Sequence, residues 1–89
     1  MKTLLLLMAQ YEGQAVIPVD RVCVDYMNLT VEKFKRKRLD GEIDIPLIRL
    51  GANTQKAALG IHIQDLADYI DRQRAKALKE QEQLRARSY

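Results

Sequence analysis

Apolar residues recur along this chain with two different periods, and each predicts a different kind of element. Over residues 3–12 a stretch rich in Leu, Met, Ala and Gln, all good helix formers, follows Thr3 as an available N-cap. Gly13 stands where such a helix would stop. The Leu run is short, so a buried strand is the alternative for this stretch. Residues 15–17 read as extended, because the residue before Pro18 is pushed off helical angles. Pro18 then opens a second helix over 19–26, with Asp20 favourably placed against the helix dipole. Its Val19, Val22, Cys23 and Tyr26 repeat at i, i+3, i+4 and i+7 as one buried face. After a brief connection at Asn28 and Leu29, Thr30 caps a third helix that runs to Asp40 and ends at Gly41. Two short helices joined by a tight turn are the outline of a helix-turn-helix.

Beyond Gly41 the period becomes two. Ile43, Ile45, Ile48 and Leu50 predict a short strand with Pro46 at its edge, and Leu59, Ile61 and Ile63 predict a returning strand. The polar turn over 51–56 joins them into a β-hairpin, in the place of a wing. Residues 64–87 predict a long final helix. Ile63, Ile70, Ala77 and Leu84 are spaced by sevens, with Leu66 and Ala67 between them, whereas Gln73, Arg74 and Gln81 spoil the seam further on. Leu66, Ala67 and Ile70 are therefore expected to pack on the domain, with the remainder frayed or paired with a second copy through Ile70, Ala77 and Leu84. The fold class is α+β, mainly α: a winged helix-turn-helix over residues 1–72, with a β-hairpin wing and a projecting helical extension over 73–89.

With 89 residues there is room for one modest core, and a monomer of this size is only marginally stable, so self-association through a terminal helix is a natural remedy. The one cysteine, Cys23, excludes an internal disulfide and reads as a small buried hydrophobe. One Cys and one His cannot supply the usual four zinc ligands. The leading Leu run is too short for a secretory core or a membrane span, which points to a cytoplasmic, nucleoid-associated protein.

The net charge of +3 is local. Between Thr30 and Asp40, Lys33, Lys35, Arg36, Lys37 and Arg38 stand against Glu32 and Asp40, so this one segment carries the equivalent of the whole excess and the rest balances. On a wheel starting at Val31, Lys33, Arg36 and Lys37 fall at about 200°, 140° and 240°, opposite the apolar positions, and should face outward as a group. Lys35 and Arg38 lie along the edge of the buried side. The charges lack acidic i+4 partners that would make them a self-satisfied face. The arrangement points to duplex DNA, with the third helix in the major groove. Arg36 is the candidate for bidentate reading of guanine, and Lys33, Lys35, Lys37 and Arg38 are candidates for phosphate contacts. The amides around Thr30 are suited to a phosphate, and Arg49, Asn53, Thr54, Gln55 and Lys56 of the hairpin would reach the adjacent backbone.

Enzymatic constellations are absent from the sequence. Asp65 and Asp68 fit a helix N-terminus, His62 fits the hairpin base, and no phosphate-cradling loop or nucleophile elbow occurs. No catalysis, metal or cofactor is expected.

Three segments carry a further likeness: LLMAQYEGQAVIPVD from Leu6, GEIDIPLIRL from Gly41 and TQKAALGIHIQDLADYID from Thr54. They resemble the pyocin activator protein family, PrtN, over nearly the whole chain to about Arg74. The resemblance implies a bacterial transcriptional activator of pyocin (phage-tail-like bacteriocin) genes that binds repeated DNA boxes upstream of them. RNA polymerase and further copies of the chain are the other partners expected. The architecture is also similar to excisionase and MerR-type winged domains, a likeness of fold rather than function. Two other functions compete: an excisionase-like architectural protein that bends DNA, and a protein-interaction module acting through the C-terminal helix.

Overall fold

The computed structural model describes residues 2–51 and 58–87. Its elements are α1 (Lys2–Gln10), β1 (Val16–Pro18), α2 (Val19–Val22) continuing as a π-helical segment (Cys23–Met27), α3 (Val31–Leu39), β2 (Ile48–Leu50), β3 (Ala58–His62) and α4 (Ile63–Arg87). The fold is α+β and mainly α, with a small three-stranded antiparallel sheet and a long C-terminal helix.

The Leu run is helical. Leu7 is buried and Leu4 packs partly against the core, whereas Leu5 and Leu6 face outward. Thr3 does not cap α1, because the helix already includes Lys2; its Oγ1 instead donates to Asp71 Oδ1 at 2.6 Å, tying α1 to α4. The helix stops as expected near Gly13, whose N–H donates to Met8 O at 2.8 Å, and both Glu12 and Gly13 adopt left-handed angles there (φ 55° and 79°).

The second helix departs from its expected regularity. After Val22 it widens into the π-helical segment, which carries more residues per turn, so the buried face built by Val19, Val22 and Cys23 returns at Met27 rather than at Tyr26. Tyr26 is left 40% exposed and donates its hydroxyl to Gln10 Oε1. Asn28, with φ 53°, ends the segment.

The extended stretch before Pro18 proves to be a third strand. The sheet is antiparallel in the order β1-β3-β2, with Ile17 opposite Ile61 and Pro18 opposite Gly60 on one side, and Arg49 opposite Leu59 on the other. Gly60 sits in the central strand because a Cβ there would collide with Val16 Cγ1 and lie 3.2 Å from the carbonyl oxygen of Ile17. The expected strand from Ile43 shortens to Ile48–Leu50. Ile43 and Ile45 are buried in an irregular lead-in segment, held where Arg38 Nε donates to Ile45 O (2.8 Å) and Arg72 Nη2 donates to Asp44 O (2.6 Å). Ile63, expected in the returning strand, is the first residue of α4, and its N–H donates to Ala15 O at 2.8 Å.

One core unites Leu7 and Tyr11 of the first helical unit with Ile17, Val22, Phe34, Ile61 and Leu66. Tyr11, 2% exposed, donates its hydroxyl to Asp25 Oδ2 at 2.7 Å beneath the guanidinium of Arg21. Beyond Ile70 every residue of α4 is exposed, so the helix leaves the domain where its apolar seam weakens. No helix among the described residues is long and apolar enough to cross a membrane.

Candidate nucleic-acid interface

The third helix begins as its sequence dictates. Thr30 is extended (φ −71°, ψ 158°) and its Oγ1 accepts from the N–H of Lys33 at 3.2 Å. Phe34 anchors the helix, fully buried, with Val31 half-buried beside it. The helix ends at Leu39, and Gly41 (φ 81°) redirects the chain so that Ile43 and Ile45 supply the apolar cover. Leu39 is consequently 81% exposed.

That end geometry rotates the solvent face away from the one expected from the wheel, on which Leu39, at about 80° from Val31, is one of the apolar positions set opposite Lys33, Arg36 and Lys37. Lys33, Lys35 and Arg36 are exposed. Lys37 is half-buried at the other edge, and its Nζ lies 2.9 Å from Glu42 Oε2. The expected outward trio of Lys33, Arg36 and Lys37 is corrected accordingly: Lys37 is paired with an acid of its own chain, and Lys35 takes its place. Glu42 lies beyond the helix end, so counting i+4 partners within the helix could not find it.

Between α3 and the hairpin runs a groove of about 620 Å³ lined by Lys35, Arg38, Leu39, Leu47, Arg49 and Leu59. Arg38 forms part of its wall and is fixed there by the hydrogen bond to Ile45 O. Arg49, exposed on β2, lines the same groove. The surface therefore consists of an outer row, Lys33 and Arg36, and a groove lined by Lys35, Arg38, Arg49 and three leucines. The aliphatic lining was the signal absent from the sequence pattern, since Leu39 comes from α3, Leu47 from the segment before β2 and Leu59 from β3, and they share no local period.

The expected hairpin-tip contacts Asn53, Thr54, Gln55 and Lys56 lie outside the described residues. On α4, Ile70 is half-buried, Ala77 is exposed and Leu84 is 58% exposed. His62 is placed structurally, its Nδ1 accepting from the N–H of Gln64 at 3.0 Å at the start of α4. Asp68 Oδ1 accepts from Gln64 Nε2 at 3.0 Å. Among the described residues, no group of three or more His, Cys, Asp or Glu side chains is placed to hold a metal ion.

A family model described as pyocin activator protein PrtN matches residues 3–77. No curated protein and no solved structure matches the chain.

Proposed function

The chain belongs to the pyocin activator family, and from that premise we propose that it is a sequence-specific DNA-binding activator of pyocin genes. α3 enters the major groove, Arg36 reads a base edge, and Lys33 and Lys35 contact phosphates that set the register. The cleft formed with Arg38 and Arg49 receives a flanking backbone segment, leaving the hairpin to follow the strand outward. Bound at a pyocin promoter in the cytoplasm, the protein acts on RNA polymerase and performs no chemistry of its own.

The observation that carries this reading is the exposure of Lys33, Lys35 and Arg36 on one N-capped helix, flanked by the Arg38 and Arg49 cleft. A solvated, self-neutralised helix would pair these charges with neighbouring acids, as Lys37 alone does on α3 among the described residues. Mobility-shift titration of pyocin-promoter fragments against scrambled duplexes, at physiological salt, tests it. Transcription from the same promoter by purified polymerase separates an activator from a protein that only bends DNA.

A further inference from the structure

α4 (Ile63–Arg87) has 25 residues, yet its buried side chains, Ile63, Leu66 and Ala67, all lie in the first two turns. Asp71 and Arg72 still bond to Thr3 and Asp44 O, and beyond Gln73 residues 74–87 extend about 20 Å from the domain at 1.5 Å per residue. A helix of that length without packing is only marginally stable in water. Its apolar positions are not scattered. The stripe that carries Leu66 and Ile70 toward the core continues through Ala77 to Leu84, with Leu78 (49% exposed) on its flank. Where the stripe leaves the domain lies a groove of about 510 Å³, whose lining includes the apolar Met27, Leu29, Ile43 and Ile70 together with Lys37 and Gln73.

We propose that a second copy of this chain covers this face. Two α4 helices pair antiparallel about a two-fold axis through Ala77, and each lays its Leu84 over the groove beside Ile70 of the other copy. The register follows from the spacing. Ile70 and Leu84 are equidistant in sequence from Ala77, so pairing centred there sets each Leu84 level with the opposite Ile70. The small Ala77 faces itself where the axes come closest.

The charges fit the same register. In an antiparallel pair, residues on the same flank of the seam face one another, because the two-fold axis preserves the flank while reversing the direction. One flank sets Glu80 beside Lys76 of the second copy, and the other sets Asp71 beside its Arg85. Symmetry duplicates both contacts. Parallel pairing in register would instead bring every charge level with its own like. Among the described residues, no salt bridge joins the charges of α4 to one another, which leaves Lys76 and Glu80 available across the seam. Asp71 accepts from Thr3 through Oδ1, and a carboxylate that accepts through one oxygen keeps acceptor capacity on the other.

Light scattering of the full chain over a concentration series tests the proposal, with far-ultraviolet circular dichroism to verify that each variant stays folded. The expected result is a dimer that becomes monomeric in Leu84→Asp, weakens at least tenfold in Glu80→Lys, and is restored when Lys76→Glu accompanies Glu80→Lys. Ala77→Cys should in addition form a disulfide-linked dimer on mild oxidation. A monomer at every concentration, or a charge exchange that fails to restore the dimer, overturns it. Duplex binding by α3 is measured separately, so either proposal can fail without the other.

Discussion

Arg38 donates its Nε to the carbonyl oxygen of Ile45 at 2.8 Å, joining the third helix to the segment that leads into the hairpin. Ile45 is 2% exposed, so its carbonyl has little access to water if this donor is lost. Arg38→Ala should therefore destabilise the fold by about 1–2 kcal/mol. Urea denaturation measures this, and an unchanged midpoint would mean that the bond does not fix the angle between helix and wing.

Gly60 is the crossing point of the sheet. Gly60→Ala drives a methyl group into Val16 Cγ1 and close to the backbone of Ile17, and overpacking of this kind costs about 1–3 kcal/mol. Adding Val16→Ala relieves the side-chain collision but not the approach to the Ile17 carbonyl. Thermal denaturation should show the single variant well below the parent and the pair recovering only part of the difference.

Tyr11 links stability to alkaline pH. Its burial, reinforced by the hydrogen bond it donates to Asp25, pushes the phenol well above the ordinary tyrosine range. A group whose pKa is raised by folding contributes stability that is complete below its unfolded value and lost as pH rises past it toward the folded value. Denaturation midpoints should thus begin to fall above about pH 10, the unperturbed tyrosine value. Tyr11→Phe removes the titrating group and should flatten that part of the profile, which a pH series of urea melts would reveal.

Lys35 and Lys37 are two residues apart but occupy different surroundings. Lys37 is engaged with Glu42 at 2.9 Å, whereas Lys35 lines the cleft together with Arg49. Lys35→Ala should weaken duplex binding more than Lys37→Ala does. If Lys33, Lys35, Arg38 and Arg49 neutralise four phosphates, log K falls with log salt at a slope of roughly −3 to −4, and Lys35→Ala reduces its magnitude by about 0.9. Anisotropy titrations at several salt concentrations give both quantities.

Much of this architecture is legible in the sequence because it is written locally. Thr30 and Gly41 bracket the third helix, Pro18 starts the second, and the heptad of Ile63 and Ile70 marks where α4 stops packing. What escaped depends on contacts distant along the chain. Val16 and Ile17 form a strand only because β3 returns beside them, and Ile43 and Ile45 stay irregular because Arg38 and Arg72 hold the backbone around them. The π-helical widening at Cys23 exchanged Met27 for Tyr26 without any break in the apolar period. The candidate site followed the same division. The position and cap of its helix were readable, but its outward direction depended on Leu39, which no local rule could identify as exposed.

The central claim is that the Lys33, Lys35 and Arg36 surface reads a pyocin promoter. The most direct measurement compares the parent protein with Arg36→Ala on a promoter duplex and on its scrambled counterpart at physiological salt. The account predicts a clear preference of the parent for the promoter, and a loss of about 1–3 kcal/mol on that duplex alone for the variant. Equal affinity of the parent for both duplexes, or an Arg36→Ala protein that keeps the full preference, would contradict it.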